Sequence, residues 1–368
     1  MKNVAIYESS SCWGGTAKYV STLVDNLDSS RFRVTLFIDA VDGYYKNPKV
    51  AANIVVHKNF RLIDSDKLFI KLLNVFFIFA NVPYHFWQLL LNRIDVVHTN
   101  NDILKHIPVL IAARLLNKFV ICHVHDHREL TVLERVAIKM VDRLVVLTVA
   151  AKKLYGAYYN PEQIVAIHNG IVVEDRPLVT FDFSINSPSV AVVGRLEEWK
   201  GQEIFLRSLP LVMARVPTVT YYVVGDSKGC DDSYKKRLLK LVSELNIGDN
   251  VQFLGWVEGA EQLMGKFDLT VCSSISPEPF GFVVIESLLA GTPVVATRHG
   301  GPCEVIIDGL NGYLYEPLDV EGLAALIVRL LSNLEALKVM GENGKQHVVE
   351  NFTLEKNILA IEALYESR

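Results

Sequence analysis

The sequence has few cysteines, and no two of them stand at the spacing of a metal site. The lack of any CxxC pair argues against a zinc ribbon, and an odd, scattered set argues against a disulfide framework. We therefore expect reduced thiols in the core of a cytoplasmic protein. The five cysteines are Cys12, Cys122, Cys230, Cys272 and Cys303.

Long hydrophobic runs and a charged leader are also missing. The chain passes from Met1 directly into the short apolar run 4–7, so we expect no signal peptide. The most apolar region, residues 66–93, is interrupted by polar residues and Pro83, and its runs are too short to span a bilayer. Its aromatic residues and the basic residues at or before its start suit a membrane-surface segment, and a pair of core helices suits it equally. Those basic residues are Lys46, Lys49, Lys58, Arg61, Lys67 and Lys71.

The common nucleotide-binding motifs are absent as well. There is no GxGxxG, which removes the main support for a dehydrogenase-like dinucleotide site. There is no GxxxxGK[ST] either, because the run 259–266 has the wrong spacing. The loop after the first strand does carry Gly14 and Gly15, which permit either a tight strand–helix turn or close backbone approach to a ligand.

The length of 368 residues fits two domains, and 50% hydrophobic residues can build two cores. The net charge of −4 hides an asymmetry between the halves. Residues 1–172 carry 20 Lys and Arg against 14 Asp and Glu, whereas the remainder carries 17 against 27. The basic first half suggests an anionic surface or acceptor, and the acidic second half argues against a nucleic-acid groove.

Short apolar runs alternate with longer mixed segments along both halves, which predicts parallel strands joined by helices. The fold class is therefore α/β, with two Rossmann-like doubly wound domains that face a central cleft. We predict an N-terminal domain at 1–172, a linker at 173–188, a C-terminal domain at 189–350 and a final helix at 351–368 on the first domain. The predicted strands are 4–7, 34–38, 54–57, 96–98, 120–123, 143–147, 165–168, 189–193, 220–224, 251–254, 269–272, 293–297 and 312–315.

Two carboxylates stand eight residues apart in the second half. Glu278 lies between two prolines that forbid helix, and Gly281 opens an apolar helix that contains Glu286. Helical side chains lean toward the N-terminus, so Glu286 can face the loop of Glu278 with free backbone N–H groups between them. Such N–H groups attract phosphate, so the arrangement suits a sugar nucleotide.

Cations follow the first strand of the second half. Arg195 and Lys200 come just after a predicted strand end, where Arg can fork onto phosphate oxygens and Lys adds a point charge. In the first half, His123 and His125 alternate along a strand and should share one face. Their clustering could suggest metal, but no second ligand cluster accompanies them, and we expect no metal.

Together these residues resemble family 4 of the retaining glycosyltransferases, whose two-Rossmann architecture is called GT-B. The resemblance covers most of the chain and follows the order and spacing of the family motifs. In the first half, Gly14-Gly15, His125-Asp126 and 168–171 resemble its markers, although His168 stands where the family more often has Pro. In the second half the matching runs are 193–201, 224–226, 251–257, 276–286 and 290–296.

The resemblance implies a role for each site residue. Glu278 would contact the transferred sugar and Glu286 the ribose, while Arg195 and Lys200 would hold the diphosphate. His125 would lie near the donor sugar and acceptor and is, with Glu278, Arg195 and Lys200, a candidate catalytic residue. The remaining candidate donor-binding residues are Gly14, Gly15, Gly255, Val257, Phe280, Gly281, Phe282 and Val283.

The implied activity is transfer of a glycosyl group, with retention, from a nucleotide-diphosphate sugar, UDP- or GDP-linked, to an acceptor hydroxyl. The expected acceptor is a glycan or lipid-linked intermediate in bacterial cell-surface polysaccharide synthesis. We expect the protein itself to be cytoplasmic or peripheral on the inner face of the plasma membrane. No metal or other cofactor and no nucleic-acid partner is expected. Other interpretations are a sugar-nucleotide epimerase or phosphorylase of the same fold, or a non-catalytic nucleotide-sugar-binding subunit.

Overall fold

The computed structural model describes residues 1–9, 15–38, 53–56, 68–101, 103–173, 181–227 and 232–368, with only the backbone for 68–75. Several positions named above lie outside this description. They are Cys12, Gly14, Lys46, Lys49, Lys58, Arg61, Lys67, the side chain of Lys71, residues 174–180 of the predicted linker, and Cys230.

The chain forms two compact units. The first comprises Met1–His168 and Asn357–Arg368, and the second comprises Asn169–Lys356. In the described residues each unit is built on one all-parallel sheet flanked by helices, of seven strands in the first unit and six in the second. The two doubly wound sheets confirm the predicted α/β fold class with two Rossmann-like domains.

The first unit has the strand order β3-β2-β1-β4-β5-β6-β7. Its strands are β1 (Lys2–Glu8), β2 (Phe32–Ile38), β3 (Asn53–Val56), β4 (Val96–Asn100), β5 (Phe119–Val124), β6 (Arg143–Val146) and β7 (Ile164–Ala166). Its helices are α1 (Gly15–Asn26), α2 (Leu68–Leu91), α3 (Ile103–Leu115), α4 (Val132–Ala137) and α5 (Val149–Tyr155).

The second unit has the strand order β10-β9-β8-β11-β12-β13. Its strands are β8 (Ser189–Val193), β9 (Thr220–Val224), β10 (Val251–Gly255), β11 (Leu269–Cys272), β12 (Val294–Thr297) and β13 (Gly312–Tyr315). Its helices are α6 (Gln202–Met213), α7 (Ser233–Glu244), α8 (Ala260–Leu263), α9 (Phe282–Leu289), α10 (Pro302–Val305), α11 (Val320–Leu331) and α12 (Leu334–Asn351). The last helix, α13 (Leu354–Glu366), begins here and continues into the first unit.

The central strands are buried on both faces, which explains why they are continuous apolar runs in the sequence. Five consecutive residues of β1, from Val4 to Glu8, are buried, and every residue of β4, β5 and β9 is buried. Burial of whole strands is therefore the physical basis of the sequence pattern. Each of the thirteen predicted strands corresponds to a strand in the described residues.

Each sheet has a point where the direction of strand addition reverses. In the first unit the chain adds β2 and β3 on one side of β1 and then crosses to β4 on the other side. The second unit repeats this order with β8, flanked by β9 and β11. Ligands of doubly wound sheets bind at this reversal, outside the carboxyl ends of the strands. The loops after β1 and β4, and after β8 and β11, are therefore the places to look for a site.

Helix α13 packs on the first unit through specific polar contacts. The Tyr19 hydroxyl donates to Asn357 Oδ1 at 3.2 Å, and the Tyr365 hydroxyl shares a hydrogen bond of 2.6 Å with His98 Nδ1. Arg31 adds an ion pair to the buried carboxylate of Glu362 at 2.8 Å. The C-terminal residues thus complete the core around the carboxyl half of β4.

Helix α2 is one continuous helix of 24 residues with Pro83 inside it. Of the two interpretations of residues 66–93, the pair of core helices was therefore wrong. The cost of an internal proline is offset by the buried face of the helix, which packs Ile78 and Leu89 into the core of the first unit. Pro83 itself is exposed. In the described part of the chain, no helix is both long and apolar enough to cross a bilayer.

The cysteines correct one expectation. Cys122 and Cys272 are buried thiols, as predicted, but Cys303 is exposed. It stands second in the short helix α10, where Pro302 and Val305 take the buried positions and Cys303 faces outward. The odd number and scattered spacing of the cysteines predicted burial for all of them, and helix phase decided otherwise for Cys303.

Two stacked histidines lie in the core of the first unit. His98 on β4 and His123 on β5 are fully buried, with ring centroids 5.6 Å apart. Burial lowers the pKa of His98 to about 3 and holds the pKa of His123 well below its usual range, with His125 and His98 adding repulsion. Both rings are therefore neutral in the folded protein at pH 7.

Acid should destabilise the first unit through these rings. Unfolding restores pKa values near 6.5, so the unfolded chain binds more protons as the pH falls below 6.5. Stability should drop by about 1.4 kcal/mol per pH unit for each such histidine, down to the folded pKa. We expect His123→Phe to lose less stability than the unsubstituted protein between pH 7 and pH 5, measured by urea unfolding.

A matched control is Cys122→Ala, which perturbs the neighbouring buried position of β5 without removing an imidazole. It should be destabilised at both pH values and keep the pH dependence of the unsubstituted protein. An unchanged pH dependence in His123→Phe would contradict the assignment of the acid sensitivity to this ring.

Candidate active site

An ion pair between the half-buried Lys200 and the buried Glu278 joins the loops that follow β8 and β11. Lys200 Nζ lies 2.5 Å from Glu278 Oε1, and the Ser274 hydroxyl donates to the same oxygen at 2.6 Å. Glu278 is only 5% exposed. Burial of a carboxylate costs on the order of several kcal/mol unless the group is paired and hydrogen-bonded, and these two donors meet that need. Two sequence-predicted site residues, Lys200 and Glu278, are thus brought together.

Backbone contacts hold Lys200 in place. Residues 198–200 form a short 3₁₀ turn that ends at Gly201, whose φ is +66°. A Cβ at Gly201 would lie 2.0 Å from the Ser273 carbonyl oxygen, so only glycine allows the two loops to approach this closely. The Ile275 N–H donates to the Trp199 carbonyl at 2.8 Å, and Lys200 Nζ lies 4.0 Å from the centre of the Trp199 ring.

Glu278 is fixed by the glycine loop that precedes α10. The Gly301 N–H donates to the Glu278 carbonyl at 2.8 Å, and a Cβ on Gly300 would meet that same carbonyl oxygen at 2.2 Å. His299 Nε2 donates to the Ser274 carbonyl at 2.8 Å. The backbone that carries the Glu278 carboxylate is therefore held at both Ser274 and Glu278.

Sequence reasoning missed Ser274 and His299. Both contact the loop of Glu278. The Ser274 hydroxyl donates to the Glu278 carboxylate, and the His299 ring donates to the Ser274 backbone carbonyl. The available signal was the serine-rich run 273–276 at a strand end beside Pro277. Hydroxyl groups at such a position often satisfy a neighbouring carboxylate, but the sequence does not reveal which one.

The N-terminus of α9 lies directly after this loop. Gly281 precedes the helix with a φ of +88°, and Phe280 is a buried anchor at 2% exposure. Gly281 has no side chain to cap the first turn, which begins with the half-buried Phe282 and Val283. The first-turn N–H groups and the helix dipole favour an anion at this position. Glu286 lies one turn further along and is half-buried.

Arg195 lies on the loop after β8 and is more exposed than Lys200. Its Nη1 lies 3.0 Å from Glu197 Oε1, and its side chain is 56% exposed. The Trp199 indole N–H donates to the other Glu197 oxygen at 2.7 Å, and the Gln202 side chain donates to the Arg195 carbonyl at 2.8 Å. The backbone of Arg195 is therefore anchored while its guanidinium faces solvent.

Gly255 and Val257 lie at the carboxyl end of β10, two strands from β8 in the sheet. Gly255 has a φ of +65°, and its carbonyl accepts from the Gly225 N–H at 2.8 Å. Val257 is half-buried against the small core cluster that contains Tyr222 and Phe267. Both residues share the carboxyl edge of the sheet with the Lys200–Glu278 pair.

His125 and Gly15 belong to the first unit. His125 directly follows β5, and Gly15 lies at the start of the helix that follows β1. Gly15 begins α1 and is exposed. His125 Nε2 donates to Asn100 Oδ1 at 2.8 Å, and its ring stacks on that of His123 with centroids 4.3 Å apart, as strand alternation predicts. Burial, with a smaller contribution from His98, lowers the pKa of His125 to about 3. Among the described residues, no three His, Cys, Asp or Glu side chains are grouped as metal ligands.

Family models match both halves of the chain. Residues 13–175 match the family model described as Glycosyltransferase Family 4, and residues 181–347 match that described as Glycosyl transferases group 1. The lipopolysaccharide core biosynthesis glycosyltransferase LpsE of Rhizobium meliloti is 32% identical over 185 residues, 50% of this chain and 51% of that protein. The chain spans about half the length of the curated relatives that it matches.

Solved structures share the fold over the whole chain. HepE of Anabaena, in complex with UDP-glucose, has a TM-score of 0.80 and 21% identity, with 100% of both chains covered. A glycosyltransferase from Rickettsia africae has a TM-score of 0.84 and 19% identity, covering 99% of this chain and 98% of that one. Both likenesses support the GT-B fold. With both halves matched by their family models, the chain belongs to the family 4, group 1 glycosyltransferases.

Proposed function

We propose that this protein is a retaining glycosyltransferase that moves a sugar from a nucleotide-diphosphate sugar to an acceptor hydroxyl. The observation that carries the proposal is the ion pair of Lys200 with the buried Glu278, placed where the strand order reverses and followed directly by the N-terminus of α9. A cation, a hydroxyl-binding carboxylate and the backbone N–H groups of a helix start meet there within one loop system. These are the groups that a sugar diphosphate requires.

The diphosphate is the part of the donor that needs positive charge. Lys200 offers an ammonium group, the exposed guanidinium of Arg195 can turn from Glu197 onto phosphate oxygens, and the first turn of α9 adds N–H donors. In the reaction the bond between the anomeric carbon and the phosphate oxygen breaks, and these groups stabilise the charge on the departing diphosphate. In this proposal they take the place of a divalent metal ion.

Glu278 and Glu286 serve the two sugars of the donor. Lys200 and Ser274 both donate hydrogen bonds to Glu278 Oε1. The lone pairs of Oε2 can therefore accept hydrogen bonds from hydroxyl groups of the transferred sugar. Glu286, one turn into α9, is assigned to the ribose. The main chain of Gly255 and Val257, at the same edge of the sheet, is assigned to the base.

Retention follows in this proposal from attack on the face that the diphosphate leaves. The acceptor oxygen forms its bond to the anomeric carbon, and the leaving phosphate oxygen accepts the acceptor proton. No protein base is then needed, which suits a carboxylate already engaged with Lys200. The similarity to LpsE supports a glycan or lipid-linked acceptor in cell-surface polysaccharide synthesis.

Calorimetric titration with UDP, GDP and ADP tests the donor site. We expect one nucleotide to bind selectively, and Arg195→Ala and Glu286→Ala each to weaken it roughly tenfold, about 1.4 kcal/mol. A matched control is Arg207→Ala, because Arg207 is also an exposed arginine paired with a glutamate of the second unit. The affinity of Arg207→Ala for the nucleotide should equal that of the unsubstituted protein. If no nucleotide binds, or if all three variants behave alike, the proposed donor site is wrong.

We also propose an anionic membrane surface as a partner, through one face of α2. The exposed positions of this helix between residues 76 and 91 are all apolar or aromatic, and we name them the apolar stripe. Their spacing of three and four residues places them on a single helix face. Such a face suits the boundary between headgroups and acyl chains, and the basic first half of the chain suits anionic lipid. The stripe comprises Phe76, Phe79, Ala80, Pro83, Tyr84, Trp87, Leu90 and Leu91.

Co-sedimentation with vesicles tests this partner. The protein should pellet with phosphatidylglycerol-containing vesicles and not with pure phosphatidylcholine, and the triple variant Phe76→Ser, Phe79→Ser, Trp87→Ser should lose most of this binding. The three side chains are 64%, 61% and 60% exposed, so the fold should tolerate the change. Equal pelleting of the triple variant, or no dependence on anionic lipid, would exclude the stripe as the docking face.

The control for that experiment removes exposed apolar side chains from the second unit. The triple variant Leu211→Ser, Leu239→Ser, Val339→Ser alters three residues that are 46%, 47% and 62% exposed. It should pellet like the unsubstituted protein, which separates a specific face from general surface hydrophobicity.

A further inference from the structure

A chain of three buried polar side chains lies where the strand order of the first unit reverses. Glu8 ends β1 and Asn100 ends β4, and the parallel register places them opposite each other. Asn100 Nδ2 donates to Glu8 Oε2, and Asn100 Oδ1 accepts from His125 Nε2 at 2.8 Å. The three residues are 2%, 1% and 7% exposed in chain order.

With Glu8 ionised, the donors and acceptors in this chain can be arranged in only one way. A carboxylate only accepts hydrogen bonds, so Asn100 must turn its NH₂ group toward Glu8 and its oxygen toward His125. An oxygen also only accepts, so the proton of the neutral imidazole must be on Nε2. The other ring nitrogen, Nδ1, then has a lone pair and no proton. Glu8 thus determines, through Asn100, the tautomer of a histidine that it does not touch.

Neighbouring groups fix both Asn100 and the imidazole ring. His106 Nε2 donates to the backbone carbonyl of Asn100 at 3.1 Å, which holds the main chain at the end of β4. The His125 ring packs against two neighbouring rings, that of His123 with centroids 4.3 Å apart and that of Tyr19 with centroids 5.0 Å apart. Rotation of the ring to exchange its two nitrogens would have to break this packing. The ring orientation is therefore set by packing and the tautomer by hydrogen bonding.

We infer that Glu8 and Asn100 are positioning residues that hold His125 as the Nε2–H tautomer and so present Nδ1 as a hydrogen-bond acceptor for a substrate hydroxyl. The assignment of a sugar hydroxyl as the partner rests on the proposed function. Neither Glu8 nor Asn100 belongs to a motif singled out in the sequence. A neutral imidazole with a fixed lone pair can orient or accept from a hydroxyl, and it does so without the reorganisation that a mixture of tautomers would require.

The tautomer can be measured without any substrate. Two-bond ¹H–¹⁵N correlation spectra of protein labelled with ¹⁵N-histidine distinguish protonated from unprotonated ring nitrogens, and His125→Phe identifies the His125 signals among the ten histidines. At pH 7 we expect the Nε2–H form in about tenfold or greater excess, because a hydrogen bond is made in that form only. A predominant Nδ1–H form in the unsubstituted protein would overturn the inference before any variant is made.

Two variants test the role of each positioning residue. Glu8→Gln lets the first side chain donate as well as accept, so Asn100 can reverse and the His125 signals should show both tautomers. Asn100→Leu removes the amide at similar volume and should have the same effect. Tyr365→Phe is the control, because it removes the hydrogen bond to His98 and leaves this chain of residues intact. His125 should remain Nε2–H in that variant.

An Nε2–H form that persists unchanged in Glu8→Gln would show that packing alone sets the tautomer, and the inference would fail. This outcome is independent of the donor site, since nucleotide titration tests the second unit and the spectra report only the first. Once an acceptor is in hand, Glu8→Gln should lower kcat about tenfold with little change in KM for the donor. A merely structural role for Glu8 would leave the tautomer unchanged.

Discussion

Parallel strands deliver all their carboxyl ends to one edge of a sheet, and this constraint decides where the chemistry of the protein can lie. In the second unit it places the loops after β8 and β11 side by side, so that Lys200 meets Glu278 although the two are far apart in sequence. In the first unit the same constraint places Glu8 opposite Asn100. Both candidate regions are therefore products of one topology, used twice.

The fold was readily predicted because its strands are buried on both faces. A strand such as β9, buried at every position, has to be apolar throughout, and that pattern survives without knowledge of its partners. Part of the second site was predictable for a similar reason. The prolines around Glu278 forbid helix there, and Gly281 precedes the apolar run of α9. The loop and the start of the helix could therefore be predicted from the sequence alone.

What the sequence did not reveal depends on contacts between distant residues. Ser274 and His299 act on the Glu278 loop through hydrogen bonds whose partners only the folded sheet brings near. Asn100 is an ordinary strand-end residue until the register of β1 and β4 places it beside a carboxylate. Helix phase, which hydrophobicity alone does not give, accounts for the exposure of Cys303. Local sequence patterns therefore predicted the strands and helices, whereas the pairing of strands in the folded sheet determined which polar side chains contact one another.

The central claim is that Lys200 binds the diphosphate of the donor while Glu278 binds its sugar. The most direct measurement compares the affinities of Glu278→Gln for a nucleotide diphosphate and for the matching nucleotide sugar. The substitution leaves the charge of Lys200 uncompensated, so the account predicts that nucleotide affinity is kept or increased while nucleotide-sugar affinity falls, by roughly tenfold for the loss of one hydroxyl contact to a charged group. Parallel loss of both affinities, or no change in either, would contradict it.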